Sequence, residues 1–134
     1  FERIANLLLD TQNIIFDDSP NQKFAIQNSN FLITDWSGLS FEYAFGYNRP
    51  ILFIDTKQKI RNQKWMVLNL PRLEDIIRTK IGRVISPKNF DNLNSEIKKL
   101  ENFQNNSSKS SNFVYNVGSA TSKSCNFIEK EFYV

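Results

Sequence analysis

The stretch that decides the fold is NFLITDWSGLSFEYAFGYNRPILFI, residues 30–54. Phe31, Leu32 and Ile33 in succession read as a strand over residues 30–34 buried on both faces. Residues 35–40 punctuate it. Phe41, Ala44 and Phe45 then line one helical stripe, and Gly46 with Asn48 closes that helix before Pro50 opens a second apolar run, residues 51–54. Strand, turn, helix and strand in this order make a βαβ unit, and a βαβ unit implies a parallel sheet.

Working outward, the same alternation continues. On the N-terminal side, Phe1, Ile4, Ala5 and Leu8 are spaced as an amphipathic helix over residues 1–9. Residues 13–16 form a short β-favouring run that ends in the turn cluster Asp17, Asp18, Ser19 and Pro20, and a short helix with Phe24 and Ile26 follows. On the C-terminal side, residues 55–70 fit neither period and read as a long loop packed in part by Trp65 and Met66. Leu73, Ile76 and Ile77 suggest a short helix, and residues 83–86 another strand. Ser86-Pro87 caps a helix in which Phe90, Leu93, Ile97 and Leu100 share a face. The expectation is an α/β chain with a doubly wound parallel sheet, its core in residues 1–101. A polar linker over residues 102–112 and a C-terminal helix in residues 113–134 that packs back on the core complete the scheme.

Composition narrows the function classes. Of 134 residues, 17 are Lys or Arg and 14 Asp or Glu, a net charge of +3 spread along the chain, so no concentrated basic face for nucleic acid is expected. There is no histidine and one cysteine, Cys125, which removes disulfide frameworks and the usual zinc ligand sets. No metal and no cofactor are expected. Cys125, on an apolar-spaced helix, reads as a small packing residue rather than a nucleophile. No apolar run approaches the ~20 residues of a membrane span, and a cytoplasmic compartment is the expectation.

In parallel sheets ligands bind beyond the carboxyl ends of the strands, so the turn after residues 30–34 is where chemistry is sought. A helix beginning near Ser37 leaves backbone N–H groups and about half a positive charge for a phosphate there. Gly38 lets a ligand approach the backbone, Ser37 and Ser40 offer hydroxyls, and Glu42 suits two sugar hydroxyls. The same residues also fit a plain helix cap followed by a first-turn anion.

Thr34-Asp35-Trp36-Ser37-Gly38-Leu39-Ser40-Phe41-Glu42-Tyr43-Ala44, with Asn48-Arg49-Pro50-Ile51-Leu52-Phe53, resembles the hallmark segment of the CDP-glycerol glycerophosphotransferases. These are the teichoic-acid polymerases, primases and related capsule enzymes. Residues 15–18 and 80–87 extend the resemblance over roughly residues 1 to 100. It implies the Rossmann-like C-terminal half of a two-domain GT-B fold, truncated at its N-terminus. Nucleotide and phosphate binding then falls to Ser37, Gly38, Leu39, Ser40 and Glu42. Asp18 and Ser19 become candidate contacts to the base, Asp35 orders the turn, and Arg49 is a candidate phosphate contact. The family's histidines are absent from this sequence, so no catalytic residue is assigned within the chain. It reads as a donor-binding part, inactive alone, that works with the missing N-terminal domain of the same enzyme. The implied partner is a CDP-linked or other nucleotide-linked donor, with peripheral membrane association of the full-length enzyme left open. Two other readings stay open: a UDP-sugar-using GT-B transferase or epimerase, and a phospho-receiver-like signalling module built on Asp17, Asp18, Asp35, Asp55 and Lys88.

Overall fold

A computed structural model of the chain describes residues 11–58, 60, 62–103 and 113–132. Three strands, β1 (Leu32–Thr34), β2 (Ile51–Ile54) and β3 (Gly82–Ile85), form one parallel sheet in the order β1-β2-β3. Helix α1 (Lys23–Asn28) precedes the sheet, α2 (Leu39–Tyr47) joins β1 to β2, and α3 (Leu73–Ile81) joins β2 to β3. Helices α4 (Leu93–Glu101) and α5 (Ala120–Phe132) follow. The chain is thus a mixed α/β protein around a small parallel sheet.

Topology dictates which helix covers which face. Both crossovers step the same way across the sheet and crossovers are right-handed, so α2 and α3 must lie on one face. They do: Tyr43 and Ala44 from α2 and Ile77 and Ile81 from α3 pack with Ile51 and Phe53. The next residue along the strand points the other way, and Leu52 packs with Ile85 and Leu100 on the opposite face, beneath Leu93 and Ile97 of α4. Strand β2 is the centre of the molecule, with Ile51, Leu52 and Phe53 all buried. Each such side chain is worth about 1.5–3 kcal/mol of burial.

Strand β1 differs from expectation. Its middle residue, Ile33, pairs with Leu52 yet is 43% exposed, so β1 is not buried on both faces. The reason is coverage: α4 packs over β2 and β3, leaving the outer part of that face open. Residues 13–16 form no strand, and Ile15 is 92% exposed. β-Branched residues favour a pleated surface only where a ladder partner exists, and here an Asx turn takes over, with Asp17 Oδ1 accepting from the Ser19 N–H at 3.0 Å.

Other boundaries move for local reasons. Asn48, at φ 52°, ends α2 in the left-handed conformation, while Gly46 sits inside the helix. The presumed loop over 55–70 contains a 3₁₀ helix, Gln63–Leu68, capped by Asn62 Oδ1, which accepts from the Lys64 N–H at 3.0 Å. Ser86 Oγ accepts from the Lys88 N–H as foreseen, but the segment it caps, Pro87–Asn92, is 3₁₀ with a kink at Asn89, and Phe90 is exposed. Helix α5 has no buried residue: Phe127, Ile128 and Phe132 are exposed, as is Cys125, which therefore does not act as a packing residue. The expected helix over residues 1–9 lies outside the described residues, as does all of the expected linker except Asn102 and Phe103. No described helix is long and apolar enough to cross a membrane.

Arg83 of β3 ties the sheet to α4 through Glu96, with Nε to Oε2 at 2.6 Å, and Lys99 approaches the other oxygen at 2.6 Å. The hydrogen bond from Arg83, then that from Lys99, hold the Glu96 carboxyl below its ordinary value of 4.5. A depressed carboxylate adds stability that is complete above its unfolded value and is lost as pH falls through the folded one. The midpoint of thermal unfolding should therefore drop from about pH 4.5 downward, and Glu96→Gln should flatten that drop. Identical pH profiles for parent and variant would remove Glu96 from the account.

Candidate functional site

The carboxyl ends of β1 and β2 carry Asp35-Trp36-Ser37-Gly38 and Asp55-Thr56, and the two turns are clasped together by Trp36, whose Nε1–H donates to the Thr56 carbonyl at 2.8 Å. Within the first turn Ser37 is the organiser. Its Oγ accepts from the Leu39 N–H at 3.3 Å, and its carbonyl accepts from the Ser40 N–H at 3.2 Å and the Ser40 hydroxyl at 2.7 Å. Helix α2 starts at Leu39, two residues later than the sequence suggests. Ser40 is 2% exposed and spends its hydroxyl inside the turn, so it builds the site from beneath instead of facing a ligand.

Gly38 is different. Its φ of −62° is open to any residue, and a Cβ there would meet nothing within 4 Å. Neither backbone conformation nor packing requires a glycine at this position, and what its missing side chain leaves is free space in front of the helix N-terminus. Asp35 is exposed, and the first N–H of α2, that of Leu39, donates to Ser37 Oγ, so Ser37 orders this turn.

On one side of the turn a groove of about 400 Å³ runs between α2 and the segment leading into α1. Leu39 and Glu42 form one wall, and Pro20, Asn21 and Lys23 the other. Glu42 is exposed on the first turn of α2. Asp18 and Ser19 lie just before the opposite wall. Ser19 gives its hydroxyl to the Asn21 carbonyl at 3.0 Å, which fixes the turn and leaves Asp18 exposed beside it.

Arg49 serves the fold. Its Nη1 lies 3.1, 2.8 and 2.5 Å from the carbonyls of Ile26, Gln27 and Ser29, at the C-terminal end of α1, where a cation meets the helix dipole. The guanidinium also stands over the Tyr47 ring at 5.7 Å.

Sequence reasoning missed Arg78. It belongs to α3, is 6% exposed, and reaches under the Ser37 turn, where it lines a small space with Asp35, Ser37, Ser40 and Glu74. Its guanidinium lies 3.8 Å from the Trp36 ring centroid and 5.0 Å from that of Phe53. Nη1 donates to Asp55 Oδ1 at 3.0 Å, and Nε and Nη2 are buried without hydrogen-bond partners among the described residues. The available signal was positional: Arg78 directly follows the apolar Ile77 on α3, whose other cation, Lys80, is exposed. No group of His, Cys, Asp and Glu among the described residues is arranged to hold a metal ion.

No protein-family model matches the chain, and no curated protein or solved structure shows significant similarity to it.

Proposed function

We propose that the chain is the donor-nucleotide-binding part of an enzyme like the CDP-glycerol glycerophosphotransferases of cell-surface polymer synthesis. The observation that carries this reading is the open space at Gly38, at the carboxyl end of a parallel strand and the start of a helix, with a separate groove lined by Leu39 and Glu42 farther along the same helix. The order β1-β2-β3, with both crossover helices on one face, is what one half of a doubly wound, Rossmann-like sheet requires. On this reading the pyrophosphate of the donor meets Ser37 and the backbone of Gly38 and Leu39. The ribose hydroxyls donate to Glu42, and the base lies along the wall formed by Pro20 and Asn21, with Asp18 and Ser19 beside it. A general base must come within hydrogen-bond reach of the proton it removes. The family that this reading follows uses histidines and the chain has none, so on this reading that base is supplied from outside these residues and the chain alone binds donor without turning it over.

An amide-detected NMR titration with CDP tests the reading. The largest shifts are expected at Gly38 and Leu39, and Glu42→Gln should weaken CDP by about 1–3 kcal/mol, the worth of hydrogen bonds to a charged acceptor. Unchanged signals at both amides at saturating CDP would reject the nucleotide site. Equal affinity of Glu42→Gln and parent would leave Glu42 as a helix-dipole residue only.

A further inference from the structure

The 3₁₀ helix Gln63–Leu68 ends in three large apolar side chains in succession and buries none of them: Met66 is 66%, Val67 82% and Leu68 69% exposed. Leu70 just beyond it is exposed, as are Leu73 and Ile76 of α3, so Met66 does not pack under the loop as its sequence suggests. Exposed apolar residues scattered singly are ordinary, whereas a contiguous run marks an interaction surface. The run is also held in place. Asn62 Oδ1 caps the helix start by accepting from the Lys64 N–H at 3.0 Å, and Asn69, at φ 45°, closes its end with its N–H on the Met66 carbonyl at 3.1 Å. Trp65, which precedes the run, is half-buried, with the Arg72 guanidinium 4.8 Å from its ring centroid, and Arg72 is itself fixed by the Asp75 carboxylate. The outcome is a structured tip with its apolar groups turned outward.

Two features select what it meets. A 3₁₀ helix has three residues per turn, so Met66, Val67 and Leu68 point about 120° apart. A protein groove receives one face of a helix, whereas a fluid hydrocarbon phase surrounds all three directions. The second feature is charge. Residues 56–73 contain five Lys or Arg and no Asp or Glu. Of these cations Lys57 and Lys64 are exposed and form no ion pair among the described residues. The acids that follow are Glu74, half-buried, and Asp75, engaged by Arg72. Apolar side chains beside unpaired cations match a bilayer surface with anionic headgroups, where apolar burial and headgroup attraction add. We infer that residues 66–70 insert into the surface of an anionic lipid bilayer, with Lys57 and Lys64 meeting the headgroup phosphates. The inference uses none of the residues assigned to the nucleotide site and goes beyond that reading.

Co-sedimentation of the protein with lipid vesicles is the test. Vesicles of phosphatidylcholine with about 30% phosphatidylglycerol should bind it saturably, and pure phosphatidylcholine about tenfold more weakly or less. The double variant Val67→Ser with Leu68→Ser leaves the charge unchanged and should bind anionic vesicles about tenfold more weakly. Both positions are exposed, so its thermal midpoint should match the parent's. Lys64→Gln should cost about fivefold, the worth of one cation at an anionic surface. The inference is overturned if anionic vesicles do not sediment the protein, if neutral vesicles bind it equally, or if the serine variant binds like the parent. It is also overturned if sedimentation velocity shows a dimer that the serine substitutions dissociate, since the tip would then belong to a second copy. The Gly38 and Leu39 amides, read with CDP in the absence of vesicles, report the nucleotide site separately.

Discussion

Replacing Gly82 by alanine is expected to destabilise the protein by about 4 kcal/mol or more, which places it in the rare class of severe point substitutions. Gly82 is the first residue of β3 and pairs with Ile51 at the start of the buried strand β2. A Cβ on Gly82 would stand 2.1 Å from the Ile51 carbonyl oxygen and 2.9 Å from its carbon. The φ of −173° is ordinary extended backbone, so the requirement for glycine is steric. Neither obstructing atom is the end of a flexible side chain; both belong to β2, and relief means moving one strand away from the other. Ile51 is fully buried between α2 and α3, so such movement also disturbs the core above it. At this chain length the thermal midpoint should fall by roughly 10–25 °C. Gly46→Ala is the internal comparison. It lies within α2, nothing stands within 4 Å of its Cβ position, and the change should raise stability by up to about 1 kcal/mol. Equal effects of the two substitutions would mean that β3 does not pair with β2 in this register.

That constraint shows what the sequence could and could not disclose. The apolar runs 51–54 and 83–86 announced β2 and β3, and the cap Ser86-Pro87 announced a helical start, because those signals are local. A Cβ clash between residues 51 and 82 is a property of the pairing, and no window of sequence contains it. Tyr43 was passed over for the same reason: it is fully buried because its hydroxyl reaches the Ser29 carbonyl at 3.0 Å, a partner fourteen residues away. Residues 13–16 and 31–33 erred in the opposite direction. Their composition is that of strands, but burial depends on what lies alongside, and Ile15 and Ile33 remain exposed. At the candidate site, residue type and position after a strand singled out Ser37, Gly38 and Glu42, and the structure places all three around the start of α2. The partners that Ser40 and Arg49 have within the fold, the Ser37 carbonyl and the C-terminal carbonyls of α1, become visible only once the chain is folded.

Arg78 supports the second large prediction, in which two substitutions at one position part company. Arg78→Ala should cost about 2–4 kcal/mol, because it empties the volume between Trp36 and Phe53. Arg78→Met keeps most of that volume and should cost less than about 1 kcal/mol. The argument is one of compensation. Two of the three guanidinium nitrogens are buried without hydrogen-bond partners among the described residues, and their desolvation offsets much of what the ion pair with Asp55 contributes. Asp55 itself is 51% exposed on its side chain, so its carboxylate returns to water cheaply once Arg78 is gone. If stability alone governed the position, a thioether would serve as well as a guanidinium. What methionine cannot supply is positive charge beneath the Ser37 turn, in a setting less polar than water, where charges act over longer range. Arg78→Met should therefore fold normally and bind CDP about threefold to tenfold more weakly than the parent. Chemical denaturation of both variants and calorimetric titration of the methionine variant make the test. A methionine variant as unstable as alanine would show that the Asp55 pair holds α3 in place, and one that binds CDP with undiminished affinity would confine Arg78 to supporting Trp36.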